Sequence, residues 1–188
     1  TTVLREEEAV PVVKQLADLK PLPRDLEEEG FRILHLDGPG DLDLALEYSL
    51  KSREARAHLF LRRGYQSIVL AEGNRVIGDV WYAAPGHSRV DGVHPHARWF
   101  GFDMDDGAYM FDMHVEPGRR ARGLSTLFWG TTLHRMRDRG FQRVYGYFDA
   151  DNTPALWVHR LLGYEELPRY RVQRRGFFES ATPVGDGH

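Results

Sequence analysis

The sequence predicts a mixed α/β fold, and three observations predict it. Short stretches with strand-like patterning recur at 31–36, 67–71, 75–82, 109–115 and 143–148. Two stretches, 124–139 and 154–162, instead carry apolar residues at helical spacing. Gly, Pro, Asn and Asp punctuate the joints between them. At 188 residues and 41% hydrophobic, the chain suits one domain with a substantial core, whereas two complete domains would be cramped.

Taken in order, residues 1–30 hold the acidic run Glu6-Glu7-Glu8, an apolar patch over 10–19 and the breaker Pro21-Leu22-Pro23, which together predict a helical or loose extension. The main domain is assigned to 31–178 and a short tail to 179–188. Residues 31–36 alternate as a first strand, and Asp37-Gly38-Pro39-Gly40 turns. Residues 41–62 carry leucine and alanine at helical spacing. Glu72-Gly73-Asn74 joins the next two strands as a hairpin. Residues 85–107 break the pattern with histidines, aromatics and acids, the composition of a substrate loop. Strand 109–115 follows, then a helix with Leu124, Leu127, Phe128, Leu133 and Met136 inward and Gly140 as its stop. After strand 143–148, Pro154 and Gly163 frame a short helix in which Trp157 is expected in the core. Residues 164–178 supply one or two closing strands.

Composition excludes several classes. No run approaches the eighteen or so uncharged apolar residues of a membrane span, and the first residues lack a signal peptide's order, so a soluble cytoplasmic protein is expected. Thr1 is not an initiating residue, which leaves a processed or truncated chain open. Without cysteine there is no disulfide, thiolate metal site or acyl-cysteine intermediate. A net charge of −3 argues against a general nucleic-acid binder, and the basic run at 169–175 reads as the solvated face of an edge strand. His87, His94 and His96 with Asp91 lack the spacing of a metal site, and no metal is expected.

Chemistry concentrates at Val115-Glu116-Pro117-Gly118-Arg119-Arg120-Ala121-Arg122-Gly123-Leu124-Ser125, which runs from a strand through a basic glycine turn into an apolar helix. Free backbone N–H groups at such a junction, together with the helix dipole, favour a phosphate dianion. The spacing is neither that of a P-loop nor that of a dinucleotide turn.

Arg120-x-x-Gly123-x-Ser125 instead resembles the Q/R-x-x-G-x-G/A motif by which GNAT-superfamily N-acetyltransferases hold the pyrophosphate of acetyl-CoA. A second block, Asn152-x-x-Ala155-x-x-Val158-His159 through Gly163-Tyr164, is similar to the family's N-x-x-A-x-x-L-Y-x-x-x-G-F pattern. The resemblance covers residues 31–175. It implies a GNAT-like fold: a mostly antiparallel sheet of six to seven strands, splayed at the middle and flanked by about four helices. It also implies acetyl-CoA as cosubstrate, held by the backbone of Met113 and Val115, by Arg120, Ala121, Arg122, Gly123, Leu124 and Ser125, and by Asn152.

Where relatives usually carry tyrosine as the leaving-group acid, this chain has His159, which can donate to or hydrogen-bond the thioester sulfur. Positions that often carry glutamate in relatives fall on Tyr109 and Tyr147, poor bases at neutral pH and expected against the substrate. Asp112 and His114 are therefore the candidate bases, with Asp149 or a water chain as a further route. Trp99 and Asp103 suit a cationic amine acceptor by cation–π and charge contacts. The activity so implied is direct acetyl transfer to a primary amine of a small molecule or peptide. The alternatives are a non-catalytic acyl-CoA sensor or scaffold, and an acyltransferase using longer acyl-CoA or acyl carrier protein. A homodimer through the terminal strands or residues 1–30 is a further expectation.

Overall fold

The computed structural model of the chain describes residues 4–43, 46–85, 99–120, 123–175 and 178–185. Its strands are β1 (Leu4–Gln15), β2 (Arg32–Leu36), β3 (Glu47–Tyr48), β4 (Gln66–Glu72), β5 (Arg75–Ala83), β6 (Gly107–Val115), β7 (Arg143–Asp149), β8 (Glu165–Glu166), β9 (Tyr170–Arg175) and β10 (Phe178–Pro183). The helices are α1 (Lys51–Arg62), α2 (Leu124–Asp138) and α3 (Thr153–Leu161). All ten strands form one sheet, ordered β10-β9-β1-β7-β6-β5-β4-β2, with β3 beside β5 and β8 beside β1. Pairing is antiparallel except for β6 with β7 and β3 with β5. Ten strands and three helices, counted over the described residues, replace the six to seven strands and about four helices expected.

Each sheet face buries its own core. Ala57, Phe60 and Leu61 of α1 pack with Trp81, Tyr109, Phe111 and Tyr145 on one side. Leu124, Leu127, Phe128, Leu133 and Met136 of α2 pack with Val80, Met110 and Val144 on the other, the inward set that the helical spacing predicts.

Residues 4–15 are not a helical or loose extension. They form the long strand β1, hydrogen-bonded between β7 and β9 deep inside the sheet. Val10, Val12 and Leu16 are buried there. Pro11, which has no N–H to give a ladder, falls in the gap between the β9 pairing at 4–9 and the β8 pairing at 12–13. The acidic run lies against the basic one: Arg169 meets Glu8 at 2.7 Å and Arg171 meets Glu6 at 3.0 Å. Each run read alone resembles a solvated surface, and only strand pairing makes them complementary. Residues 178–183 form the edge strand β10 rather than tail. The expected helix over 41–62 is a short 3-10 turn, the strand β3 and then α1.

Two features open the sheet in its middle. The parallel ladder of β6 and β7 holds only three pairs, ending at Tyr109 with Tyr145. At the other end of this ladder Gly107 pairs with Arg143 and permits a close approach, since a Cβ there would lie 2.9 Å from the Tyr145 ring. Further along, the β5–β6 register shifts between Trp81 with Phe111 and Asp79 with His114, placing an extra residue in β6. Asp112 sits there with φ 51°, the left-handed region, and is the sole non-glycine residue so placed among those described. The bulge reverses the alternation: Phe111 packs on the α1 side, while Met113 and Val115 both face the α2 side.

Candidate active site

Beyond Tyr109, β6 and β7 diverge and leave a cavity of 480 Å³, whose walls include Met110, Asp112 and Met113 of β6 and Gly146 to Asp149 of β7. Its α2 and α3 side carries Trp129, Asn152, Ala155 and His159. The strand edges facing each other here have no ladder partners, a place where an elongated ligand with amide groups can pair.

His159 is 4% exposed and boxed by aromatic rings. Trp129 and Tyr164 stand edge-on to it at 4.6 and 4.8 Å, and Phe148 stacks at 5.0 Å. Its Nδ1–H donates to the Ala155 carbonyl at 2.7 Å. A carbonyl only accepts, so in the neutral ring this bond leaves Nε2 bearing a lone pair, with no protein partner among the described residues. Burial lowers the imidazole pKa, opposed by that hydrogen bond and by Glu166. His159 is thus a neutral ring set to accept a proton. The phenol of Tyr164, which accepts from Trp129 Nε1 at 2.9 Å, is pushed up by burial and stays protonated.

The other two candidate bases are placed differently. Arg53 and Arg56 of α1 grip Asp112: Arg53 Nη1 donates to its carboxylate at 2.9 Å, Arg56 Nη1 at 2.8 Å, and Arg53 Nη2 to its carbonyl at 3.2 Å. Below them Arg53 Nη2 also meets the buried Asp79 at 2.5 Å, and Trp81 Nε1 donates to Asp79 at 3.0 Å. The Asp112 carboxylate therefore holds the bulge in place rather than standing free at the cavity. His114 points to the opposite face, beside Tyr48, Arg53 and Asp79, and is absent from the cavity wall. Burial and then Arg53 lower its pKa. Sequence reasoning missed this clamp, although its signal was present: Asp79 is a carboxylate inside the apolar strand Val76-Ile77-Gly78-Asp79-Val80-Trp81, and a buried carboxylate requires a cation.

Of the expected substrate residues, Tyr147 lines the cavity. Tyr109 does not; it is 1% exposed in the α1-side core, and its buried hydroxyl lacks a hydrogen-bond partner among the described residues. Trp99 packs edge-on against Phe100 at 6.1 Å, and Phe100 is buried between Tyr147 and Tyr170. Asp103 is exposed and accepts from the Asp105 N–H at 3.2 Å, closing a turn. Trp99 and Asp103 are therefore outside the cavity wall, while His87, Asp91, His94 and His96 lie outside the described residues. No cluster of three or more potential metal ligands occurs among the described residues.

At the end of β6 the basic turn behaves as follows. Arg120 Nε donates to the Val115 carbonyl at 2.9 Å, which occupies one of the two backbone groups expected to hold the ligand arm and directs the guanidinium across the turn. Arg119 is taken by Glu72. Gly123 precedes α2 with φ 73° and provides no side-chain cap, so the N–H groups of Leu124 and Ser125 in the first helical turn have no capping side chain. Ala121 and Arg122 lie outside the described residues. Asn152 caps α3, accepting the Ala155 N–H at 3.2 Å, and lines the cavity as well.

This is an antiparallel sheet opened beside a parallel pair, with an uncapped helix start in the turn that follows β6. Residues 26–164 match the Acetyltransferase (GNAT) family. The chain belongs to the GNAT family of acetyltransferases. A mycothiol acetyltransferase of Thermobifida fusca is 34% identical over 84 residues, covering 43% of this chain and 26% of that protein. Another, of Clavibacter sepedonicus, is 29% identical over 97 residues, covering 48% of this chain and 30% of its own length. The matched stretches thus span less than a third of these curated relatives. A GNAT-family structure from Novosphingobium aromaticivorans shares the fold, with a TM-score of 0.54, 18% identity, and coverage of 89% of this chain and 64% of that one. The GNAT match begins after β1, so the strand that completes the sheet beside β7 lies outside it. Among the described residues no helix is long and apolar enough to cross a membrane.

Proposed function

We propose that this GNAT protein is an acetyl-CoA-dependent N-acetyltransferase acting on a primary amine of a small molecule or peptide by direct attack. The observation that carries the reading is the cavity between the unpaired edges of β6 and β7 with the His159 lone pair within its wall. The residues present fit the cosubstrate: an uncapped helix start after Gly123 suits a diphosphate, and open strand edges suit an amide-bearing arm. Arg120, Gly123, Leu124 and Ser125 would hold the phosphates; Met113, Val115 and Asn152 would hold the arm, Val115 through its N–H because its carbonyl serves Arg120. Acetyl-CoA supplies a thioester carbonyl open to attack by an uncharged amine.

His159 takes up, at Nε2, the proton that the acceptor nitrogen sheds as its amide bond forms. It then returns that proton to the thiolate sulfur as the thioester C–S bond breaks, so one ring serves as base first and acid second. Its lowered pKa keeps the ring unprotonated at neutral pH, with Nε2 open. Tyr147 lines the acceptor side, where Asp149 joins the cavity to an acidic surface recess with Glu6, Glu8 and Asp151.

Calorimetric titration with acetyl-CoA, followed by free-thiol release across an amine panel, tests the reading. Gly123→Asp, which places negative charge in the turn, should weaken acetyl-CoA binding at least about tenfold. Unchanged binding would remove the helix start from the site. One observation favours the non-catalytic sensor: Tyr109 and Tyr147 stand where relatives carry glutamate. Tight CoA binding with no thiol release from any amine would establish the sensor instead. Competition by free acetyl-CoA separates both from an enzyme of acyl carrier protein.

A further inference from the structure

Arg53 belongs to α1, across the sheet from α2 and α3, and is no part of the wall of the 480 Å³ cavity. Yet it is buried, with its guanidinium set against the middle of the sheet. Nη2 is shared between Asp79 of β5, at 2.5 Å, and the backbone carbonyl of Asp112 in β6, at 3.2 Å, while Nη1 holds the Asp112 carboxylate at 2.9 Å. One side chain thus ties two strands together where their register shifts. Asp79 is itself fixed, because Trp81 Nε1 donates to its other oxygen at 3.0 Å. Arg53 Nε finds no hydrogen-bond partner among the described residues, so the guanidinium sits where the two strands need it rather than where its own donors are best served.

An ion pair this deep is a costly way to join two strands, since apolar side chains of like volume commonly stabilise as well or better. What it adds is geometry. A trans peptide unit is planar, and its C=O and N–H point in opposite directions. With the Asp112 carbonyl drawn toward α1, the N–H of Met113, the other end of the same unit, is turned toward the α2 side. Met113 packs on that side and lines the cavity. A cationic donor on the carbonyl also polarises the unit, which makes its N–H the stronger donor.

We propose that Arg53 is a positioning residue for acetyl transfer: from outside the cavity it aims and polarises the Met113 N–H toward the thioester carbonyl oxygen, where negative charge develops as the amine attacks. The inference rests on the acetyl-CoA reading above. A fixed donor at that oxygen favours the transition state over the bound thioester, so Arg53 acts on rate rather than on affinity. Arg56, which reaches the Asp112 carboxylate and not its carbonyl, has no such part.

Isotope-edited infrared spectra of bound acetyl-CoA, labelled at the acetyl carbonyl carbon, test this on the whole chain with wild type, Arg53→Lys, Asp79→Asn and Arg56→Ala. Lysine keeps a cation for Asp79 but has a single nitrogen on a flexible stem, which cannot hold both strands. Wild type should lower the carbonyl stretch below that of free acetyl-CoA, and Arg56→Ala should keep the shift. Arg53→Lys should lose most of it while its calorimetric affinity for acetyl-CoA stays within about twofold of wild type. Asp79→Asn, which leaves Arg53 in place with a weaker anchor, should lose part of it and serves if Arg53→Lys does not fold. With any amine that is turned over, Arg53→Lys should lower kcat at least about tenfold at an unchanged KM for acetyl-CoA. A wild-type stretch unmoved by binding, a shift that survives both Arg53→Lys and Asp79→Asn, or a shift lost only together with affinity overturns the assignment while the acetyl-CoA reading stands. Failure of wild type to bind acetyl-CoA overturns that reading and this inference with it.

Discussion

His159 shows how one hydrogen bond sets the chemistry a side chain can perform. With Nδ1–H committed to Ala155 and the ring enclosed by Trp129, Phe148 and Tyr164, the neutral form is favoured and Nε2 is left to accept. Burial lowers its pKa from 6.5, so the unfolded chain binds the proton more readily than the folded one. The stability that the neutral ring contributes is complete above about pH 6.5 and is lost as pH falls below it. Thermal unfolding followed from pH 7.5 to 5 should show the wild type losing more stability than His159→Gln. His35 and His114 shift in the same direction and remain in both proteins, so the difference between the two curves isolates His159. Parallel curves would mean that folding leaves the His159 pKa unshifted.

At the scale of elements, α1 and β6 are joined through the Arg53–Asp112–Arg56 contacts, and these hold the bulge from which the cavity opens. Removing the carboxylate leaves Arg53, itself 8% exposed, with Asp79 as its one ion-pair partner, and leaves the left-handed backbone held from α1 only through the Asp112 carbonyl. Asp112→Ala should therefore cost about 2–4 kcal/mol, and Asp112→Asn about half as much because it keeps hydrogen-bonding oxygen. Urea unfolding midpoints measure both; an Asp112→Ala protein as stable as wild type would show that the clamp adds nothing. The helix α3 illustrates the opposite case. Its His159 face is buried, while Trp157, expected in the core, is 64% exposed and Leu161 73% exposed. The apolar spacing showed that α3 has a sheltered face but could not rank its aromatics, because a nine-residue helix covers the sheet along one stripe only.

Across the whole molecule, β1 links the chain's start to its end. Its acidic residues face Arg169 and, in β9, Arg171 and Gln173, partners more than 150 positions away in sequence. Because these pairs are largely exposed, each contributes little alone, and their sum is a matter of register more than of strength. Reversing Glu6 and Glu8 to arginine should cost about 1–2 kcal/mol by setting like charges opposite each other, and adding Arg169→Glu and Arg171→Glu should restore most of it. Chemical denaturation of the three proteins decides this, since a double reversal without cost would mean that the pairing tolerates repulsion.

The sequence by itself determined the mixed α/β class, β4 to β7 with the α2 inward face, and the basic turn into α2. Each is written in short-range spacing: strand-like runs, helical periods, and a glycine between a strand and a helix. Only the tertiary structure decided that residues 4–15 are an interior strand, that Asp112 is held by arginines and His114 faces away, and that Trp99 and Asp103 stay outside the cavity. These outcomes depend on contacts between distant segments and on a single bulge that reverses which face each later residue of β6 presents. A local pattern cannot contain them, because the energy of a buried charge or an interior strand resides in partners the chain brings together only on folding.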